Sequence, residues 1–99
     1  MTNLEISSIF TDIAERLKLK QENIFKIRAY EKVARSISEL KEPVAKLVAE
    51  NRLKEIPGAG EAITKKLMEL VTTGKLAFYE RLKTEKPENT MSSPFRKGR

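Results

Sequence analysis

The chain has 99 residues, with 20 Lys and Arg against 14 Asp and Glu, a net charge of +6, and neither cysteine nor histidine. That length makes one domain with a core that needs no metal or disulfide staple. The missing side chains exclude disulfides, thiol nucleophiles, zinc-finger ligand sets and any Ser-His or Cys-His catalytic arrangement. Excess basic charge favours an anionic partner, with nucleic acid ahead of a membrane surface, and a solvated basic face without a partner is the competing reading. No apolar run approaches the roughly 18 residues of a membrane span, and Met1 to Asn23 carries acidic residues and no signal-peptide core. The expectation is a cytoplasmic, nucleoid-associated protein with no membrane partner.

Thr2 and Glu5 have capping-box spacing, so a first helix is expected from about Asn3 to Lys18. Its stripe is Ile6, Ile9, Phe10, Ile13, Ala14 and Leu17, with Asp12, Glu15, Arg16 and Lys18 on the other side. Lys20 to Phe25 reads as a connection, with Asn23 as a cap. A second helix from Ile27 to about Leu40 buries Ile27, Tyr30, Val33, Ala34 and Ile37, and Lys26, Arg28, Lys32 and Arg35 make that segment basic. Glu42-Pro43 ends it and places proline at a first helical position, opening a short third helix to about Glu50. Gly74 is the C′ residue of a later helix, and Lys75 to Lys83 reads as one more, with Leu76, Phe78, Tyr79 and Leu82 apolar. Thr84 to Arg99 has two prolines, Ser-Ser and a basic end with no periodicity, and reads as a disordered tail or linker. The expected fold is all-α: a small bundle of four to five short helices over residues 1–83, containing a helix-hairpin-helix motif.

That motif is Leu53-Lys54-Glu55-Ile56-Pro57-Gly58-Ala59-Gly60, two hydrophobic anchors around a Pro-Gly turn, followed by Ile63, Leu67, Leu70 and Val71 at helical spacing. Two short helices joined by so tight a turn present backbone amides and a helix N-terminus to one anion. Gly58 and Gly60 let the main chain approach a phosphate, and nearby lysines add attraction that carries no base identity. Ordinary turns use the same residues. The order of anchors, glycine pair and lysine-bearing helix is what favours phosphate binding.

Lys66 falls at the margin of that helix's buried arc, whereas Lys65 points roughly the opposite way and forms i,i+4 pairs with Glu61 and Glu69. Ala62, one turn before Lys66, leaves space beside its ammonium. Two readings stand here. In one, Lys66 snorkels over apolar surface, paired with Glu69 or Glu61. In the other, desolvation and neighbouring cations lower its pKa and make it an amine nucleophile.

The order Asn23-Ile24-Phe25-Lys26-Ile27-Arg28-Ala29-Tyr30, then Leu53 to Gly60, then Lys66, then Thr73-Gly74-Lys75-Leu76 resembles the N-terminal lyase domain of family X DNA polymerases, most closely its bacterial and archaeal, polymerase-beta-like branch. The resemblance spans about Ile6 to Leu82. It implies a DNA-repair module that binds the 5′-phosphate side of gapped or nicked DNA in base excision repair. It further implies removal of 5′-deoxyribose phosphate by β-elimination through a lysine Schiff base, with Lys66 as the nucleophile. The family's phosphate-pocket positions fall on Lys26, Tyr30 and Lys54. Its monovalent cation, Na or K, would sit on the backbone carbonyls of Lys54, Ile56 and Ala59, and no other cofactor is implied. The sequence departs from the family at three positions. A pocket lysine is replaced by Ala62, a pocket histidine by Phe25, and the acidic residue before the nucleophile by Lys65. The base for C2′ proton removal is left open among Tyr30, Glu61 and water. The polymerase palm is missing, so the chain is not a polymerase by itself, and a polymerase domain would belong to a longer or partner chain. The alternative is a non-enzymatic helix-hairpin-helix DNA-binding domain, standing alone or cut from such a polymerase. A basic module for an acidic protein partner is a third class.

Overall fold

Thr2 opens the chain's order: its hydroxyl accepts from Glu5 N–H at 3.1 Å while its own N–H donates to the Glu5 carboxylate at 2.7 Å. This capping box satisfies donors that a helix start leaves orphaned. In the computed structural model, which describes residues 1–85, it begins α1 (Asn3–Leu19). The elements that follow are α2 (Ile24–Ser38), α3 (Val44–Ala49), a single 3-10 turn (Leu53–Glu55), α4 (Glu61–Thr73) and α5 (Ala77–Thr84). The described residues are all-helical, with no strand. None of their helices is long and apolar enough to cross a membrane.

The periodic stripes close one core. Ile6, Phe10, Ile13 and Leu17 of α1 pack with Ile27, Tyr30, Val33 and Ile37 of α2, and α3, the 3-10 turn and α4 add Leu47, Leu53, Ile56, Leu67 and Leu70. Ile9 and Val71 lie at the edge of this core, half-buried, where the stripes place them fully inside. Phe10 meets Tyr30 edge-on, with ring centroids 5.8 Å apart, a favoured aromatic geometry.

Three boundaries differ from the sequence expectation. The second helix starts at Ile24, not Ile27, because Asn23 Oδ1 accepts from Phe25 N–H at 2.8 Å and caps it there. Pro43 is the N-cap of α3, one place before the first helical position, so it has no side chain able to cap. Asn3 does that work from a distance: its Oδ1 accepts from Val44 N–H at 2.9 Å and its Nδ2 donates to the Glu42 carbonyl at 2.8 Å. The start of α1 is thereby tied to the start of α3. Third, the hairpin's leading helix is reduced to the 3-10 turn at Leu53–Glu55.

Gly74 stands at φ +78 and closes α4, its N–H donating to the Leu70 carbonyl at 2.8 Å. The positive φ is the left-handed cap conformation that glycine adopts without a Cβ penalty. The chain then turns into α5, whose first N–H, on Ala77, donates to the Glu69 carboxylate at 2.9 Å. α5 is held against α1 by the Tyr79 hydroxyl, which donates to Asp12 at 2.5 Å, and by an ion pair between Lys20 and Glu85 at 2.5 Å. Thr84 is thus the last residue of a helix rather than the first of a tail. The disordered segment expected further on lies outside the described residues.

Candidate nucleic-acid interface

The hairpin's turn is built by Pro57 and Gly58. Ala59 N–H donates to the Ile56 carbonyl at 3.0 Å, and Gly58 takes φ +88 at the third position after proline at the second. This is the arrangement of a type II turn, which demands a glycine there. Two contacts fix the turn on α2. The Ser36 hydroxyl donates to the Pro57 carbonyl at 2.9 Å. A Cβ on Gly58 would lie 3.0 Å from Lys32 Cγ and 3.1 Å from its Cδ, so the Lys32 stem runs along the bare backbone. Lys32 is therefore beside the hairpin, a placement its sequence position does not reveal.

Gly60 caps α4 with extended backbone, φ −75 and ψ −176, and offers no side chain to the helix's first amides. Thr64 N–H is satisfied by the Gly60 carbonyl at 2.8 Å, whereas the amides of Glu61, Ala62 and Ile63 are the orphan donors of a helix start. Nothing lies within 4 Å of where a Gly60 Cβ would be. The approach to these donors is open. Lys54, Ala59, Gly60, Glu61, Thr64 and Lys65 surround a hollow of about 650 Å³ in front of them. Of the three residues whose carbonyls the resemblance names for a monovalent cation, Lys54 and Ala59 line this hollow and Ile56 does not. The Ile56 carbonyl is already spent on Ala59 N–H, and that of Ala59 is approached by the Thr64 hydroxyl at 3.5 Å.

Lys66 lies one turn along α4 and is half-buried, as its place at the arc's margin predicts. It lines a separate, neighbouring cavity of about 560 Å³ with Glu61, Ala62, Glu69, Phe78 and Arg81. Glu61 and Lys65 border both cavities, so the two form a continuous surface around the first turns of α4. Lys66 Nζ lies 4.8 Å from the centroid of the Phe78 ring, and Lys26 Nζ lies 5.8 Å from the same centroid. Phe78 in turn stacks on Tyr30 at 6.0 Å with 13° between the rings. Burial pushes the Lys66 ammonium below its ordinary pKa, and the Lys26 charge pushes in the same direction. Glu69 opposes the shift and Arg81 adds to it. Among the described residues Lys66 has no ion-pair partner. The Glu69 carboxylate is engaged by the α5 amide, and Glu61 lies 4.0 Å from Lys65.

Tyr30 is only 3% exposed. Burial pushes its hydroxyl up to about 12, so near neutral pH it is a hydrogen-bond donor and not a base. Phe25 is 75% exposed on the first turn of α2, next in sequence to Lys26. Lys54 is exposed on the 3-10 turn. The structure thus brings Lys26, Tyr30 and Lys66 together around Phe78, and places Lys54, Gly58 and Gly60 at the hairpin. Phe78, Glu69 and Arg81 belong to the Lys66 cavity. The sequence offers Glu69 only as an ion-pair partner for Lys65 or Lys66, Phe78 only as an apolar position, and Arg81 not at all. Phe78 looks like core in a short amphipathic segment, and the role of the other two depends on how α5 docks.

Ion pairs take up some of the cations and leave others. Arg16, Lys18, Lys20, Lys46, Arg52, Lys65 and Lys83 pair with carboxylates. Among the described residues Lys26, Arg28, Lys32, Arg35, Lys54 and Lys66 do not. At 100° per residue, Arg28, Lys32 and Arg35 fall within about 60° of one another on α2. Cations left without carboxylates along a helix and its neighbouring hairpin are an electrostatic footprint for a polyanion.

A search of curated proteins finds no match to the chain. A family model described as a helix-hairpin-helix domain matches residues 1–76, which takes in α1 through α4, the hairpin and Lys66, and stops before Phe78 and Arg81. The chain therefore belongs to the helix-hairpin-helix domain family, a class of DNA-binding module.

Proposed function

We propose that this domain binds gapped or nicked DNA through its backbone phosphates and removes a 5′-deoxyribose phosphate through a Schiff base on Lys66. The hairpin amides, Lys54 and Lys32 hold the phosphates of the duplex, and the cavity at Lys66 receives the 5′ end. The observation that carries the reading is the state of Lys66: a half-buried amine, lowered in pKa by burial and by Lys26, with open space beside it and no carboxylate partner among the described residues.

In this reading the neutral Lys66 amine attacks the opened C1′ aldehyde and loses water to give a protonated imine. The imine withdraws electrons and acidifies the C2′ hydrogen. A base takes that proton, the C3′–O bond breaks, and the DNA 5′-phosphate leaves with the electron pair. Water then hydrolyses the unsaturated imine and frees the lysine. With Tyr30 held protonated, Glu61 at the cavity rim or a water supplies the base.

Borohydride reduction tests this. Wild type should be trapped on gapped DNA carrying a 5′-deoxyribose phosphate, and Lys66→Ala should not. Lys66→Arg should keep DNA affinity within about twofold, as expected for a conserved charge, while losing all trapping. Equal trapping of Lys66→Ala and wild type overturns the lyase reading.

A second reading has a specific observation behind it. The Phe78 face favours a charged Lys66 over a neutral one, which suits a non-enzymatic DNA-binding domain. It predicts that Lys66→Arg binds DNA as wild type does, with no trapping in either protein.

A further inference from the structure

A phosphate pocket built around a nucleophilic lysine has a charge problem. Lys66 must be neutral to attack, and while neutral it contributes nothing to holding a phosphate dianion. Ala62 supplies no charge beside it. Lys26 lies 5.8 Å from the centroid of Phe78 and does not line the cavity. Two further cations border the cavity: Lys65, which is paired with Glu61 at 4.0 Å, and Arg81, which is exposed and makes no ion pair or side-chain hydrogen bond among the described residues. The Arg81 charge reaches Lys66, since it contributes to lowering that amine's pKa. Glu69, an acid of the same cavity, is committed to the Ala77 amide at 2.9 Å.

The orientation of Arg81 follows from how α5 is anchored. Tyr79 and Leu82 are turned to the bundle: Leu82 is 4% exposed, and the Tyr79 hydroxyl donates to Asp12. Ala77, Phe78 and Arg81 line the cavity at i, i+1 and i+4, the spacing of one helix face, with Phe78 at its border with the buried side. Arginine suits this position chemically. It stays charged at every working pH and offers a planar fork that meets two phosphate oxygens at once.

We infer that Arg81 is the permanent cation of the pocket, a guanidinium clamp that binds the 5′-terminal phosphate at a DNA gap and leaves Lys66 free to lose its proton. This rests on the proposed function, because it presumes that the 5′ end enters the Lys66 cavity. The test is equilibrium binding of the 99-residue chain to two otherwise identical one-nucleotide-gap duplexes, one with a 5′-phosphate and one with a 5′-hydroxyl at the downstream side of the gap. Wild type should prefer the phosphate. Arg81→Gln should reduce that preference about tenfold, the scale of charge-assisted hydrogen bonds lost, while binding to the hydroxyl duplex changes less than about twofold. Arg81→Lys should retain an intermediate preference, keeping charge without the fork. A full preference in Arg81→Gln overturns the assignment of Arg81 and leaves the 5′-end reading standing. Absence of any preference in wild type overturns both.

Discussion

Lys66 holds a balance between opposing forces. Burial and the charges of Lys26 and Arg81 favour its neutral form, while Glu69 and the Phe78 ring favour the ammonium. The first set prevails, so Lys66 should titrate below its ordinary value of 10.5. In a folded chain with isotopically methylated amines, one lysine resonance should move at lower pH than the rest and vanish in Lys66→Arg. The thermodynamic sign follows from linkage. A lysine that gives up its proton more readily when folded destabilises the fold while protonated, and that cost fades as pH rises between the folded value and the unfolded 10.5. Stability should therefore rise over that window in wild type relative to Lys66→Met. A Lys66 resonance that titrates with the other lysines contradicts the nucleophile reading. At this scale the sequence was partly legible. Wheel geometry places Lys66 at the edge of the core because one face of a periodic helix is countable. The ring beneath its ammonium was not legible, because Phe78 belongs to another helix and no local pattern connects the two.

Among the elements, the hairpin separates two uses of glycine. Gly58 is needed for folding. Its φ of +88 strains any residue with a Cβ, and the Lys32 and Val33 atoms 3.0–3.3 Å from a built Cβ would have to give way to a methyl group. Gly58→Ala should lower stability by about 1–2 kcal/mol, the scale of left-handed strain for a residue with a Cβ, measured by thermal or denaturant unfolding. Gly60 is different, with ordinary φ and empty space around the missing Cβ. Gly60→Ala should change stability by less than about 1 kcal/mol, yet weaken DNA binding severalfold by placing a methyl group where a phosphate would approach the α4 amides. Equal loss of folding and binding in both variants contradicts the division. Both glycines stand out in the sequence, but the backbone angle and the contacts with α2 that tell them apart are visible only in the structure. The start of α2 shows the same limit from the other side. Ile24 and Phe25 are exposed, so they break the amphipathic pattern and look like a connection, although Asn23 already caps them into the helix.

The whole molecule divides its charge. Arg16, Lys18, Lys20, Lys46 and Arg52 are held in local ion pairs. Among the described residues Lys26, Arg28, Lys32 and Arg35 of α2, Lys54 of the hairpin and Lys66 of α4 are not, although Lys65 pairs with Glu61. Net charge announces a polyanion partner, and the order of apolar stripes gives an all-α bundle, because both depend on composition and local period. The ties that assemble the site do not. Asp12 to Tyr79, Asn3 to Val44 and Glu69 to Ala77 join residues 67, 41 and 8 positions apart, through polar atoms with no periodic signature. Through these ties α5, beyond the stretch matched by the helix-hairpin-helix family, brings Phe78 and Arg81 to a lysine on α4. The most direct test of this assembly is to locate the bond it is proposed to make. After borohydride reduction of the chain on DNA with a 5′-deoxyribose phosphate, proteolysis and mass spectrometry should find the reduced sugar on Lys66. An adduct on Lys65 or the N-terminal amine, or no adduct while the DNA is bound, would contradict the account.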